Sequence, residues 1–181
     1  MPRRLRCFVV LGLMALILGG CAAAAERPDA HVTLSTDEFS KTIDIVGPVG
    51  GENPFFDVKK FYNLVTRVDK KTHRYFHELE TRIIYFNDFY NFQFAADDTA
   101  QDLELVRVAR SNRFCSDCYK EEDFNIIVPD AALRAHVATG YRIKVWSRAG
   151  YYDVLEVTPA MIAMQLAGLD EFLKTGAISQ R

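Results

Sequence analysis

The stretch of sequence that decides the fold is residues 60–86, which reads KFYNLVTRVDKKTHRYFHELETRIIYF. Apolar or aromatic residues alternate with polar ones along residues 60–69 and again along residues 73–86, a period typical of β-strands with one buried face. The polar sequence Lys70-Lys71-Thr72 between them suits a hairpin connection. The segment therefore predicts two long antiparallel strands. Their shared face carries Tyr62, Leu64, Thr66, Val68, Tyr75, His77, Leu79, Thr81, Ile83 and Tyr85.

Shorter alternating segments flank this hairpin on both sides. Clusters of turn-forming residues separate them, such as Gly47-Pro48-Val49-Gly50-Gly51 and Arg148-Ala149-Gly150. Short strands with turns at regular spacing are typical of antiparallel sandwiches. We therefore predict a mainly β protein, an antiparallel β-sandwich that is immunoglobulin-like or related. The other predicted strands are residues 31–34, 41–46, 89–95, 103–110, 124–128, 141–147 and 151–157.

The last part of the chain predicts a C-terminal helix near residues 159–174. Thr158 is a residue type that caps helix N-termini, and Pro159 suits the first helical position because the N–H that it lacks would have no helical partner there. Gly176 is placed to end the helix. An apolar stripe at helical spacing would pack across one sheet or an open end of the sandwich. It consists of Ile162, Leu166, Leu169 and Leu173.

A shorter helix is predicted near residues 130–138. Asp130 can cap its N-terminus, and Gly140 follows at the point where it should stop. We find no internal repeat and no second domain boundary. Because roughly 160 residues suffice for one domain with a substantial core, residues 30–181 are predicted to form a single domain.

The N-terminus has the composition of an export signal. Arg3, Arg4 and Arg6 precede an uncharged apolar stretch at residues 7–18. The sequence that follows, Leu18-Gly19-Gly20-Cys21, resembles the lipobox of bacterial lipoproteins. In that family the leader is cut before the cysteine, whose thiol carries a diacylglycerol. The resemblance implies that residues 1–20 are a lipoprotein signal peptide and that Cys21 is the lipidated first residue of the mature protein.

Two other interpretations of the leader remain open. An ordinary secretory peptidase could cut within residues 22–25, or the uncharged residues 7–25 could stay as an uncleaved anchor. Lipoproteins that stay in the inner membrane of enteric bacteria carry Asp after the cysteine, where this chain has Ala22, so the resemblance implies the outer membrane, facing the periplasm. Residues 21–29 are predicted to be a lipidated tether. Such a segment spans roughly 25 Å when it is fully extended.

Composition excludes several classes of protein. The 181 residues are 49% hydrophobic and 25% charged, as in ordinary globular domains and unlike disordered or low-complexity chains. Without the three arginines of the leader, 19 basic residues face 24 acidic ones, a net charge of about −5. A mildly acidic domain is a poor match for nucleic acid, which is bound through clustered Lys and Arg, so no nucleic-acid partner is expected.

Cys115 and Cys118 are the two thiols of the predicted mature domain besides Cys21. In the oxidising periplasm, neighbouring cysteines usually form a disulfide, which here would staple a short loop. A redox-active pair or half of a metal site are the alternatives. Tyr119 stands where a haem-attachment motif requires histidine. Because His73 and His77 would lie about 13 Å apart on a strand, we predict no metal site and no cofactor.

Residues 85–94, YFNDFYNFQF, contain six aromatic residues. Such a face could line a groove for an apolar ligand, and the candidate lining residues are Tyr85, Tyr90, Phe92 and Phe94. The alternative is that these side chains belong to the sandwich core. Arg107, Arg110 and Arg113 recur at a spacing of three, which on a regular strand places neighbouring members on opposite faces.

No motif of a known enzyme class is present: the chain has no G-x-S-x-G, P-loop, H-E-x-x-H or dinucleotide-binding glycine pattern. The sequence therefore favours a non-enzymatic binding or structural domain, held at the periplasmic face of the membrane by its N-terminal lipid and able to bind a partner protein of the envelope. The alternatives are a thiol–disulfide or metal-binding protein that uses Cys115 and Cys118, and a carrier of a small apolar ligand.

Overall fold

The computed structural model describes residues 31–51, 59–86, 88–113 and 119–178, without the side chains of Asn112 and Arg113. The predicted signal peptide, the lipidated Cys21, the tether, and the Cys115 and Cys118 pair therefore lie outside the described residues.

Within these described ranges, ten strands form two antiparallel sheets. The larger sheet has six strands in the order β1-β2-β3-β4-β8-β7, and the smaller has four in the order β10-β9-β5-β6. The six strands are β1 (Thr33–Ser35), β2 (Thr42–Gly50), β3 (Lys59–Asp69), β4 (Tyr75–Phe86), β7 (Leu105–Arg113) and β8 (Tyr119–Val128); the four are β5 (Phe94–Asp97), β6 (Asp102–Leu103), β9 (Tyr141–Trp146) and β10 (Tyr152–Val157). The prediction of a mainly β, sandwich-like fold is confirmed.

The hairpin of β3 and β4 forms the centre of the larger sheet. Its register pairs Lys59 with Ile84 and Val68 with Tyr75, as antiparallel strands of this length require. Nine of the ten residues predicted on the inner face are buried, and Tyr75, at the start of β4, is half-buried. Leu64, Thr66, Leu79 and Ile83 have no exposed surface. The period of two in residues 60–86 therefore predicts which side of the sheet meets the core.

One apolar core joins the two sheets. Side chains of the larger sheet, such as Leu79 and Ile126, pack with side chains of the smaller sheet, such as Ile143 and Leu155. The outer face of the larger sheet carries a charged cluster among apolar residues such as Val65 and Phe76. In this cluster Arg67 lies within 3.0 Å of carboxylate oxygens of Asp44, Glu78 and Glu80. The contrast between the two faces is what the alternating pattern predicts.

The C-terminal helix α2 (Pro159–Thr175) packs beside the smaller sheet on strands β2 and β3. Thr158 accepts a hydrogen bond from the Met161 N–H as its N-cap, and Gly176 ends the helix in the left-handed conformation with φ 73°. Both predicted ends are confirmed. The buried stripe includes Leu169, which contacts a second small core around Ile45 and Val68. Neither helix in the described part of the chain has the length and apolar character needed to cross a membrane.

The short helix α1 (Asp130–Ala135) forms where it was expected but is capped differently. Its N-cap is Pro129, which offers no side-chain acceptor. The Asp130 carboxylate instead receives hydrogen bonds from His77 at 3.0 Å and Arg134 at 2.9 Å. The prediction that Asp130 caps the helix is wrong because two stronger donors compete for its oxygens.

Two predicted local structures differ from the observed ones. The glycine-rich segment 47–51 was expected to be a turn, yet β2 continues to Gly50 past an irregularity between Val46 and Val49. Residues 89–93 were expected to be a strand, yet β5 begins only at Phe94. Asn91 has a φ of 64°, which is incompatible with a strand.

Candidate functional site

Three aromatic side chains form a row across the outer face of the smaller sheet. Phe94 of β5 and Tyr152 of β10 each pair in register with Trp146 of β9, which lies between them. The Phe94 and Trp146 rings stack with centroids 5.6 Å apart and planes 24° apart. Phe94 is 36% exposed and Tyr152 is 67% exposed. We call these three residues the aromatic platform, because they lie side by side on one face of three adjacent strands.

Two cations border the aromatic platform. The Lys144 ammonium lies 4.9 Å from the centroid of the Tyr152 ring and 6.0 Å from that of Trp146. The Arg148 guanidinium lies 6.0 Å from the centroid of Phe94. Cations at these distances from aromatic faces are attracted by the ring quadrupole and still carry their charge. The surface is therefore both apolar and positive.

A shallow depression of about 370 Å³ adjoins the platform. It is lined by Ala96, Asp97, Ala100, Lys144, Trp146, Ser147, Gly150 and Tyr152. Ser147 is 3% exposed, and its hydroxyl oxygen is buried without a hydrogen-bond partner among the described residues. A buried hydroxyl without a partner costs free energy, so its place in the wall of a depression marks a position where a ligand atom can bind.

Asp97 is buried in the wall of the same depression. One carboxylate oxygen accepts hydrogen bonds from Thr99 and Gln101, and the other accepts one from the Tyr141 hydroxyl at 3.0 Å. Burial opposes the charged form, yet these hydrogen bonds hold the pKa of Asp97 below its ordinary value. Burial, reinforced by the bond to Asp97, raises the pKa of Tyr141. The carboxylate therefore serves the fold, since the protein occupies both of its oxygens.

The predicted aromatic groove is divided by the structure. Tyr85 and Phe92 are 0% and 1% exposed and belong to the core, so neither side chain offers surface to a ligand. Tyr90 stacks between Tyr85 and Tyr151 at centroid distances of 3.9 and 4.1 Å. Phe94 lies on the other face of its strand, in the aromatic platform. Only Phe94 of the four therefore contributes to the exposed site.

A buried carboxylate positions the segment that contains these aromatic residues. Glu122 of β8 accepts hydrogen bonds from the backbone N–H groups of Asn91 at 2.6 Å and Phe92 at 3.2 Å. The Tyr85 hydroxyl also donates to it. Burial, together with this bond, raises the pKa of Tyr85, so the phenol stays protonated and keeps donating. Glu122 thereby fixes where β5 begins.

A hydroxyl, an imidazole and a carboxylate line up elsewhere in the fold. Thr66 Oγ1 lies 2.7 Å from His77 Nδ1, and His77 Nε2 lies 3.0 Å from Asp130 Oδ1. Hydrolases use such a series when the hydroxyl can reach a substrate. Thr66 has no exposed surface, and its oxygen also accepts a hydrogen bond from Gln165 at 2.7 Å. This arrangement ties α1 and α2 to the sheet and has no room for a substrate.

The other predicted sites give no further candidate. His73 lies in the turn between β3 and β4, whereas His77 is buried in β4. Among residues 31–51, 59–86, 88–113 and 119–178, no group of three His, Cys, Asp or Glu side chains could hold a metal ion. The thiol–disulfide interpretation of Cys115 and Cys118 stays a prediction.

Comparisons with protein-family models, curated proteins and solved structures found no match.

The aromatic platform was missed by the sequence analysis, although its signal is present. In residues 141–147, Ile143 and Val145 alternate with Lys144 and Trp146, so the only tryptophan of the chain lies on the polar face of its strand. A large aromatic residue on such a face is a candidate for binding. The pairing of Trp146 with Phe94, which is distant in sequence, could not be read from the pattern.

Proposed function

We propose that the protein is a lipid-anchored, non-enzymatic binding domain of the bacterial envelope whose aromatic platform contacts the ligand. The observation that carries this proposal is the row of Phe94, Trp146 and Tyr152 on three adjacent strands, in which the half-buried Trp146 lies between two exposed rings. The platform lies on strands of the rigid sheet, and rigid supports favour binding because little conformational entropy is lost.

The chemistry of the platform favours an acidic glycan as the ligand. Aromatic rings offer flat apolar area, which suits the C–H face of a sugar ring. Lys144 and Arg148 supply positive charge for carboxylates on such a polymer. The unpartnered Ser147 hydroxyl can bond a sugar hydroxyl or amide. A bacterial cell-wall glycan with carboxylate-bearing amino sugars combines all three features.

Anchoring through Cys21 would place this platform near the membrane surface. The support is the lipobox-like sequence and the short tether of residues 21–29. Several acyl chains on one residue give stable attachment, whereas a single chain is marginal. Intact mass of the protein extracted from its native membrane tests this part. We expect a chain that begins at Cys21 and carries acyl groups, and a mature chain without them would contradict the anchor.

A pull-down on insoluble cell-wall glycan tests the ligand. We expect the purified full-length protein to bind it, and Trp146→Ala to lower the affinity at least tenfold because the central ring of the row is lost. Chitin, an uncharged amino-sugar polymer, should bind more weakly because it has no partner for Lys144.

The matched control is Phe76→Ala. Phe76 is 44% exposed on the larger sheet, away from the platform, so its removal deletes a comparable ring without touching the site. Equal losses for Trp146→Ala and Phe76→Ala, or no binding by the unaltered protein, would contradict the proposed glycan site.

A further inference from the structure

A β-bulge in β7 changes which way two arginines point. Arg107 pairs with Phe124, but Ala109 pairs with Asp123, so Val108 is an extra residue in this strand. Arg110 then pairs with Glu122, which lies on the same inner face as Phe124. The spacing of three, which in a regular strand separates the two arginines, here brings them to one face.

The two guanidinium groups converge on a single amide. Arg107 donates to Asn91 Oδ1 at 2.9 Å and to the Phe92 carbonyl at 2.6 Å. Arg110 also donates to Asn91 Oδ1. Asn91 holds this position in the left-handed conformation, which asparagine tolerates better than most residues. Two positive charges therefore share one neutral acceptor.

Within the described ranges, the ion pairs of these two arginines involve one carboxylate, that of Glu122. The carboxylate of Glu122 lies 3.9 Å from Arg110 Nε, but it is buried and already accepts from Tyr85, Asn91 and Phe92. The Phe89 ring lies beside them, with its centroid 5.5 Å from the Arg110 guanidinium and 5.5 Å from the Lys120 ammonium. Arg107 and Arg110 are both exposed, so a ligand can reach them from solvent.

We infer that Arg107 and Arg110, positioned by Asn91, bind a phosphate group. Each guanidinium has five N–H donors in a planar fork, and two forks can share the oxygens of one phosphate. An anion there would also relieve the repulsion between the two like charges. The phosphate could belong to a lipid headgroup or to a soluble phosphate. This site is separate from the aromatic platform, and it exists whether or not Cys21 is acylated.

The direction of β1 favours the lipid headgroup. Thr33 pairs with Val46 and Ser35 with Asp44, so the chain before Thr33 runs toward the end of the sandwich at which β2 finishes. The register places the ends of β4 and β7 and the start of β8 at this same end. A lipid on Cys21 would hold this end within roughly 33 Å of the membrane, the reach of about ten residues.

Calorimetric titration of the full-length protein in a non-ionic detergent tests the inference. The probes are inorganic phosphate and glycerophosphoglycerol, the water-soluble headgroup of phosphatidylglycerol. We expect binding that weakens as salt is added, and at least a tenfold loss of affinity in the Arg107→Gln/Arg110→Gln double variant. Tighter binding of glycerophosphoglycerol would identify a membrane headgroup as the source, and tighter binding of inorganic phosphate a soluble one. No binding of either probe would overturn the inference.

Two further variants separate charge from folding. Asn91→Asp keeps both arginines but gives them an internal carboxylate, so it should abolish phosphate binding without lowering the melting temperature. Arg142→Gln/Lys174→Gln removes two exposed positive charges elsewhere and should bind phosphate as the unaltered protein does. Equal affinity in the Asn91→Asp variant, or an equal loss in the distant double variant, would overturn the site.

Discussion

Glu122 and Asn91 are 31 positions apart in sequence, yet the Glu122 carboxylate accepts a hydrogen bond from the Asn91 backbone N–H at 2.6 Å. Glu122 is 1% exposed, and its carboxylate accepts hydrogen bonds from Asn91, Phe92 and Tyr85. The contact fixes the segment between β4 and β5. Phe94, the first residue of β5, is thereby brought into the aromatic platform, and Asn91 is placed between Arg107 and Arg110.

Removal of the Glu122 carboxylate should destabilise the whole domain. In Glu122→Ala the N–H groups of Asn91 and Phe92 and the Tyr85 hydroxyl lose their acceptor inside the protein, which costs about 3 kcal/mol of unfolding free energy. Glu122→Gln keeps one acceptor oxygen and should cost about half as much. Urea unfolding followed by circular dichroism measures both.

Glu104→Ala is the control for this prediction, because it removes an exposed carboxylate from the neighbouring edge of the fold. We expect a change within roughly 0.5 kcal/mol. If Glu122→Ala lowered stability no more than Glu104→Ala does, the carboxylate would not hold the segment.

We expect the free energy of unfolding to fall as the solution becomes acidic, because His77 is buried in its neutral form. Burial, which outweighs the attraction of Asp130, lowers the pKa of His77 below its ordinary value of 6.5. The unfolded chain therefore binds this proton more readily than the folded one. Stability is complete above pH 6.5 and declines as the pH falls below it, by at most about 1.4 kcal/mol per pH unit for one proton. Urea unfolding at pH values from 5 to 8 measures the slope.

The hydrogen bonds around His77 explain why the neutral form fits. Gln165 donates a hydrogen bond to Thr66 Oγ1, so the Thr66 hydroxyl donates its own proton to His77 Nδ1. The neutral imidazole of His77 therefore has its hydrogen on Nε2, which donates to the Asp130 carboxylate. We expect His77→Gln to be less stable at neutral pH and to have a flatter pH profile. The control is His73→Asn in the exposed hairpin turn, which should leave the change of unfolding free energy with pH as steep as in the unaltered protein. If His77→Gln were equally steep, His77 would be excluded as the source of the pH dependence.

Close packing of α2 on β2 depends on Gly47. A Cβ at this position would lie 2.7 Å from Gln165 Oε1 and 2.9 Å from the Leu64 carbonyl oxygen. Neither atom can move freely: Gln165 is held by hydrogen bonds to Ile45 and Thr66, and the carbonyl is part of β3. Gly47→Ala should therefore cost about 2 kcal/mol, measured by thermal and urea unfolding.

Gly168→Ala provides the contrast within the same interface. Its Cβ would lie 3.1 Å from Val32 Cγ1 and 3.7 Å from Ile178 Cδ1, both of which are side-chain atoms, and alanine has a higher helix propensity than glycine inside α2. We expect a change within roughly 1 kcal/mol. A loss as large as that of Gly47→Ala would mean that the helix, and not the backbone of β3, limits the packing.

Local patterns in the sequence predict the elements that depend on neighbouring residues. The ends of α2 follow from Thr158, Pro159 and Gly176, which act within one turn of the helix. The buried face of β3 and β4 follows from alternation alone. In both cases the interaction that decides the structure lies within a few residues of the position it affects.

Contacts between distant residues explain what the patterns miss. Residues 89–93 alternate like a strand, but Glu122 takes the N–H groups that a neighbouring strand would need. Arg107 and Arg110 share a face only because β7 has one extra residue relative to β8. The aromatic platform combines Phe94 with a hairpin some fifty residues later. Each depends on sheet order or register, which one-dimensional periodicity does not contain.

Ser147→Ala should raise the stability of the protein and weaken its binding to the glycan. Its hydroxyl is buried without a partner among the described residues, so Ser147→Ala removes an unsatisfied polar group and should raise the unfolding free energy by about 1 kcal/mol. If that hydroxyl bonds the glycan, the same variant should bind the cell-wall glycan severalfold more weakly. Thermal unfolding and the glycan pull-down measure the two effects on one preparation.

Ser111→Ala, which removes an exposed hydroxyl from β7, should change neither quantity. A more stable Ser147→Ala with unchanged binding would place the ligand away from the depression, and a less stable one would mean that the hydroxyl supports the fold.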